Sequence, residues 1–408
     1  MEDAYIVDAA RSPIGKFLGS LSALPATRLG AAVAKGLVSR SGIAAKDICE
    51  VIVGNVLSAG LGQNPAKQVV MYSGIPETTP AFNVNKVCAS GLKAVALGAE
   101  AIWCGNGEII LAGGIESMSN SPHTVKGVRR FRKMGDVPLK DYADYLGKQP
   151  GGTENSMLVD EMINGGLWDC YSDLHMGSLA EKIGKKYKIS REEQDKFALD
   201  SHRKAAAAAD SGKFRDEIIR IDAGNGAAVD SDEGIRRDTD MQKLGALKPA
   251  FGPDGSVTAG NAAQISDGAS FLLLASGKAV SSHGLKPLAK IECFAASGID
   301  PSWYGLAPTT AVNKLLEKSG HTMDEIDLVE INEAFCVQVL GVVKELGIDM
   351  SRLNVNGGAT ALGHPIGASG ARILTTLVYA LRDRGKKLGL AALCHGGGGA
   401  FSMIVSRD

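Results

Sequence analysis

The chain has 408 residues, 45% of them hydrophobic, with a formal net charge of −1. That length suits two or three domains around a large core, and the balanced charge offers no basic surplus for nucleic acid. Seven scattered cysteines without a CxxC pair argue against a disulfide framework or a structural zinc site and toward a reducing compartment.

Tyr5–Ala9 reads as a strand and leaves no room before it for a signal peptide. A helix is expected over Thr27–Arg40, stopped by Gly42, then a strand over Cys49–Val56 and a helix over Asn64–Gly74. The chain centres on Asn83–Lys93, NVNKVCASGLK. An extended apolar stretch, Ala81–Val87, runs into Cys88, and an apolar helical pattern follows from Leu92 to Trp103. A thiol at such a turn meets free backbone N–H groups and the positive end of the helix dipole, which favour the nucleophilic thiolate. Ala89 and Gly91 are expected to keep the approach to the sulfur open. The alternative is a small buried hydrophobe, the commoner fate of a free cysteine. Helix Ala89–Trp103 is apolar or small nearly all round, as in a helix buried on every side. With the buried strand Glu108–Gly113, the alternation predicts an α/β domain with a mostly parallel, helix-covered sheet.

From Ser121 to about Pro249 charges, Gly and Pro rise, which predicts a lid or loop domain inserted into the α/β core. Ser190-Arg191-Glu192-Glu193 is a capping box opening a helix to about Asp210. The basic cluster Val128–Lys133 reads as a solvated loop, with a phosphate site as the alternative. A strand returns at Phe271–Ala275, and from Lys286 the chain echoes its first half. Asn83-Val84-Asn85 resembles Asn354-Val355-Asn356, ICEVIVGN (48–55) resembles IDLVEIN (326–332), and Ile109–Gly113 resembles Leu388–Leu393. The order is kept at offsets of roughly 270 to 280 residues, the mark of an internal duplication. No apolar run is long enough to span a bilayer, and the final Ser406-Arg407-Asp408 is not a peroxisomal tripeptide.

Three turns of the second half, the last two Gly-rich, carry candidate chemistry. Asn332-Glu333-Ala334-Phe335 ends a strand and opens a helix, where ligands bind in α/β sheets; Asn332 as a plain N-cap is the alternative. GGATALGHPIGASGAR (357–372) holds His364 before a proline that disfavours helix. LAALCHGGGGA (390–400) brings Cys394 to four glycines whose N–H groups suit an oxyanion, or else form a hairpin turn to Phe401–Val405. Two cysteines and a histidine suit thioester acyl transfer. Cys394 and His395 are adjacent without spaced partners, so no metal is expected.

The motifs VCASGLKA, AGGIESMS, HMGSLAEKIGKKY, TAGNAAQISDGA, NEAF, GGATALGHPIGASGAR and CHGGGGA, in that order, resemble the thiolases over essentially the whole chain. The resemblance implies a five-layered αβαβα fold from two duplicated α/β halves with an inserted loop domain. Its parts would be residues 1–120 plus 250–276, the loop domain 121–249, and 277–408. It implies reversible Claisen chemistry on coenzyme A thioesters, with acyl-CoA and coenzyme A as partners, no metal and no separate cofactor. In it Cys88 takes the acyl group and His364 deprotonates Cys88. His364 and a water held by Asn332 form one oxyanion hole, and the backbone N–H groups of Cys88 and Gly396 the second. Cys394 is the acid/base at the α-carbon, a thiol of ordinary pKa suiting that work. Coenzyme A would meet His175 and Met176 at its pantetheine, Arg236 at its adenine end, and Ala259, Ala263, Tyr304, Ala334 and Phe335 along the tunnel.

Several positions depart from that pattern. Ala263 stands where a serine is common, at a cost of about 0.5–1.5 kcal/mol in lost hydrogen bonding. His395 replaces an apolar residue and is expected to alter the pKa of Cys394. Tyr304 replaces a methionine, and Gly135–Met157 is longer than in short-chain members. The resemblance implies a cytoplasmic acetyl-CoA C-acetyltransferase-type enzyme, dimeric or tetrameric. A broad 3-ketoacyl-CoA thiolase of fatty-acid β-oxidation is the runner-up, separated by the pocket near Tyr304 and Met157. A hydroxymethylglutaryl synthase-like enzyme and a non-catalytic binding subunit rank lower.

Overall fold

The computed structural model describes residues 2–149, 157–224 and 228–407. The first half runs β1 (Ala4–Arg11), α1 (Ala26–Ser41), β2 (Glu50–Gly54), α2 (Pro65–Ser73), β3 (Ala81–Val84), α3 (Ser90–Trp103) and β4 (Ile109–Ser117). Local chemistry sets these limits. Helix α1 stops where Gly42 turns to φ 76, a conformation glycine takes without penalty. Helix α2 starts at Pro65 after Asn64, whose side chain accepts from the Lys67 N–H. A long excursion follows, carrying α4 (Met176–Tyr187) and α5 (Arg191–Asp210). The expected capping box is formed, with Ser190 and Glu193 bonding each other's backbone N–H. The basic cluster folds into a short helix, Val128–Phe131, with its arginines exposed.

The chain then returns to the sheet through β5 (Ser266–Ser276) and β6 (Ala289–Gly298). It closes with α6 (Ala307–Ser319), β7 (Leu328–Ile331), α7 (Cys336–Leu346), α8 (Ile366–Arg384), β8 (Leu388–His395) and β9 (Gly399–Ser406). The strands lie in the order β3-β2-β4-β5-β1-β6-β9-β8-β7. Only two residue pairs, Tyr5 with Lys290 and Ile6 with Ala289, join β1 to β6 at the middle. On either side the order is the same: β3-β2-β4-β5-β1 matches Leu353-β7-β8-β9-β6, with β3 reduced to a single bridge at Leu353 in the second half. The duplication read from the repeats is thus present in the strand order.

The expectation of a mostly parallel sheet is corrected. Parallel pairing is confined to β2 with β3, β2 with β4, and β7 with β8. β5 and β9 run antiparallel beside β4 and β8; β9 returns from β8 by a direct hairpin, whereas β5 returns from β4 only after the long excursion.

Helices α1 and α2 cover one outer face and α6 and α7 the other, while α3 and α8 fill the space between the two half-sheets. This is the αβαβα layering. Every residue of α8 from Ile366 to Leu381 is buried. Helix α3 has no exposed residue, but Lys93, Leu97, Glu100 and Ala101 form a half-buried strip, so its burial is not complete all round. The two central helices touch backbone to backbone. A Cβ on Gly91 would lie 2.8 Å from the Ala371 nitrogen, and one on Gly370 2.5 Å from the Leu92 nitrogen. Gly91 therefore serves the helix crossing rather than an open path to the sulfur.

Gly370→Ala should lower stability by about 1–3 kcal/mol through overpacking, read as a fall in the denaturant midpoint. Gly245→Ala, where a Cβ meets nothing within 4 Å, should leave it unchanged.

Candidate active site

Three turns, each following a strand, converge on one cavity. After β3, the Ser90 hydroxyl accepts from the Lys86 N–H at 2.8 Å and donates to the Val87 carbonyl at 2.6 Å, tightening the turn before α3. Val87 is held at φ 47, a costly conformation for a β-branched residue. Cys88 follows, half-buried. Burial pushes its thiol up to about 12 against the lowering effect of the Gly396 and Cys88 backbone N–H groups, and the Glu116 charge adds to the rise. The expectation that the helix N-terminus favours a standing thiolate is corrected: desolvation outweighs the donors, and Cys88 rests as a thiol that needs a base.

His364 lines the same cavity. Its Nδ1 lies 2.5 Å from the Ser369 hydroxyl, which donates to the Pro365 carbonyl at 2.8 Å. With its proton committed there, the hydroxyl accepts from Nδ1–H, and Nε2 carries the lone pair. Burial, with the Arg372 charge behind it, lowers the His364 pKa to about 4, so the ring is neutral.

Asn332 ends β7, fully buried, with Nδ2 3.4 Å from His364 Nε2. Its Oδ1 makes no hydrogen bond among the described residues. The helix begins at Cys336 with Phe335 at its N-cap, so the plain-cap alternative for Asn332 falls. Its neighbour Glu333 holds the turn together, accepting from Ser201, Asn354 and the Thr360 N–H at 2.7, 2.8 and 3.0 Å.

Cys394 ends β8, fully buried in a cluster with Met176, Tyr304 and Phe335. Burial and then the Cys88 charge push its thiol well above the ordinary range, so the expectation of an ordinary thiol pKa is corrected. His395 has no part in that shift.

The cavity has a volume of about 510 Å³ and is lined by Cys88, His364 and Gly396. Also on its wall are His175, Met176, Arg236, Ala259, Ala263, Tyr304, Ala334 and Phe335. Asn332 and Cys394 are absent from that wall and lie fully buried. His175 Nδ1 accepts from the Gly177 N–H at 3.0 Å and burial keeps the ring neutral, so Nε2 carries the proton. The ring stacks on Phe251 with centroids 4.7 Å apart. Tyr304 sends its hydroxyl to the Met176 carbonyl at 3.1 Å and presents its ring. Met157 is 75% exposed and away from the cavity wall, so it does not bound an acyl pocket. Residues 150–156 of the long Gly135–Met157 stretch lie outside the described residues.

Sequence reasoning missed Phe251, Met118, Ile366, Lys16 and Phe17 on the wall. It also missed Glu116, whose buried carboxylate accepts from Asn55 at 2.7 Å, Leu57 N at 3.1 Å, Val56 N at 3.2 Å and Gly367 N at 2.8 Å. The signal was an acidic residue at the end of a strand otherwise built of apolar and small residues. Among the described residues no group of His, Cys, Asp and Glu is arranged to hold a metal ion, and no helix is long and apolar enough to cross a membrane.

Comparison with known proteins places this architecture. The thiolase N-terminal domain model matches residues 4–278 and the thiolase C-terminal domain model residues 285–407. The chain belongs to the thiolase family. It is 48% identical to an acetyl-CoA acetyltransferase of Allochromatium vinosum and 47% identical to one of Pseudomonas aeruginosa, covering 100% of this chain and 99% and 100% of theirs. Among solved structures it resembles the Acat5 thiolase from Ascaris suum in complex with coenzyme A, with a TM-score of 0.89, 43% identity and full coverage of both chains. It also resembles human mitochondrial 3-ketoacyl-CoA thiolase in complex with CoA, with a TM-score of 0.91 and 38% identity over 100% of this chain and 98% of that one.

Ser369→Ala should free the His364 ring to exchange tautomers. Nitrogen chemical shifts should show a single Nδ1–H form in the wild type and a mixture in the variant. A mixture already present in the wild type would contradict the assignment.

Proposed function

We propose that this thiolase is an acetyl-CoA C-acetyltransferase: it condenses two acetyl-CoA to acetoacetyl-CoA and coenzyme A, and runs the reverse thiolysis. The observation that carries this reading is the sharing of one cavity by the half-buried Cys88 thiol, the neutral His364 and Gly396. The full-length likeness to acetyl-CoA acetyltransferases supports the choice of activity.

In the proposed thiolysis, His364 Nε2 takes the Cys88 proton as the sulfur attacks the 3-keto carbon. The N–H groups of Cys88 and Gly396 hold the resulting oxyanion. The carbon–carbon bond breaks, the acyl group stays on Cys88, and the electron pair passes to the α-carbon of acetyl-CoA as an enolate. His364 and a water held by Asn332 Oδ1 stabilise that enolate, and Cys394 returns a proton to carbon. The Cys394 thiolate then takes the proton of the coenzyme A thiol as that sulfur attacks acyl-Cys88, and the displaced Cys88 sulfur recovers its proton from His364 as the shortened acyl-CoA is released.

His175 and Met176 are proposed on the pantetheine, Arg236 at the adenine end, and Ala259, Ala263, Tyr304, Ala334 and Phe335 along the tunnel. We assign the catalytic halves to residues 1–120 plus 250–276 and 277–408, with 121–249 as the loop domain carrying the coenzyme A contacts. Seven free thiols support a reducing, cytoplasmic setting, and we propose a homodimer or homotetramer there.

Thiolysis of acetoacetyl-CoA and of longer 3-ketoacyl-CoA thioesters tests the reading. Activity confined to the four-carbon substrate and lost in Cys88→Ala supports it. Equal rates on long chains would move the protein to fatty-acid β-oxidation, and no activity would sink the catalytic reading. The pH profile is a second check. A lowered His364 pKa keeps the base form present as pH falls, so the acid limb of kcat/KM attributable to His364 should lie well below pH 6.5 and toward about 4.

A further inference from the structure

The hairpin joining β8 to β9 contains Gly396–Gly399, and Gly397 and Gly398 adopt φ of 84 and 79. So much glycine leaves a turn free to change shape. Gly396 nonetheless lines the same cavity as Cys88, with a Cβ at that position lying 3.5 Å from the Val87 side chain beside the thiol, and its N–H acts to lower the Cys88 pKa; such a donor is effective only when held in place beforehand.

His395 supplies a hold. Cys394 and His395 are neighbours on one strand, so their side chains leave opposite faces. Cys394 packs with Met176 and Tyr304, while the His395 ring folds against the turn. Its Nδ1 lies 2.8 Å from the Gly396 carbonyl oxygen, and because a carbonyl only accepts, Nδ1 carries the proton. Nε2 is buried and makes no hydrogen bond among the described residues. Burial, aided by the Lys86 charge and opposed by the Gly396 bond, lowers the pKa and keeps the ring neutral. A Cβ built on Gly399 would lie 2.2 Å from both Cε1 and Nε2 of this ring. The fourth glycine therefore makes room for the imidazole, and His395 and Gly399 form one unit.

We propose that His395 is a positioning residue that clamps the Gly396 carbonyl and thereby fixes the Gly396 N–H facing the Cys88 sulfur. The inference rests on the reading of Gly396 as an oxyanion donor. Its consequence is that His395 acts on the oxyanion site, not on the proton chemistry of Cys394 beside it.

The test compares full-length wild type with His395→Leu, His395→Asn and Gly399→Ala, each checked for an unchanged melting midpoint. Two quantities are read: kcat and KM for acetoacetyl-CoA thiolysis, and the pH dependence of Cys88 alkylation by iodoacetamide. The other ionisable groups at the site, Glu116, His364, Tyr304 and Cys394, are untouched in all three variants. In His395→Leu, kcat should fall about tenfold with KM within about twofold, because a transition-state contact is loosened. Alkylation at a given pH should slow as the sulfur loses a fixed donor. His395→Asn, which keeps a donor, should recover most of both, and Gly399→Ala, which drives a methyl into the ring, should reproduce the loss. Unchanged kcat and alkylation in His395→Leu would overturn the proposal, as would a change in KM alone or no recovery by asparagine. If the wild type shows no thiolysis, the functional reading fails separately, and the alkylation profile still decides the clamp.

Discussion

The backbone contact between the two central helices is the constraint on which the rest of the structure depends. Gly91 meets the backbone of α8, Gly370 meets that of α3, and a Cβ on Gly114 would lie 2.0 Å from the Gly367 carbonyl oxygen. Such approaches admit no side chain, and interiors packed to this density do not yield without cost. Because α3 begins just past Cys88 and α8 just past His364, the crossing fixes both reactive side chains together. Glu116 ties the same region from below, joining the end of β2 to the first turn of α8 through the Gly367 N–H.

Duplication explains why the reactive groups lie on equivalent turns, and divergence explains why they differ. Asn55 and Asn332 end the matching strands β2 and β7 in the repeat. Asn55 spends its amide on Glu116 at 2.7 Å, and that pair is structural. Asn332 directs its amide to His364 and keeps Oδ1 without a protein partner. The same strand end thus serves as a brace in one half and meets His364 in the other. The electrostatics follow a similar logic. A half-buried thiol, a neutral imidazole with its tautomer set by Ser369 and a deeply buried second thiol are all held in their uncharged forms by burial.

Much of this was legible in the sequence because it depends on local pattern. The turn at Cys88, the capping box at Ser190, the Gly42 stop and the repeated strand ends all follow from turn chemistry and periodicity, and β7 ended where its pattern predicted. What was not legible depends on contacts between distant segments. The antiparallel return of β5 and β9 is a matter of topology, not composition. The role of Gly91 needs α8 beside it, and the raised Cys88 pKa needs the burial that only the assembled halves create. Phe251 lies in a loop with no periodicity, and its stacking on His175 has no signal in either neighbourhood. Met157, singled out by its place in a long insertion, proved to face solvent.

The central claim is that the crossing of α3 and α8 presents Cys88 as the acyl acceptor. The most direct measurement is to incubate the wild-type protein with acetyl-CoA, quench in acid and map the modified peptide by mass spectrometry. The account predicts a single acetyl group on the peptide carrying Cys88, discharged on adding coenzyme A. An acetyl group on Cys394 or another thiol, or none on any peptide under these conditions, would contradict it.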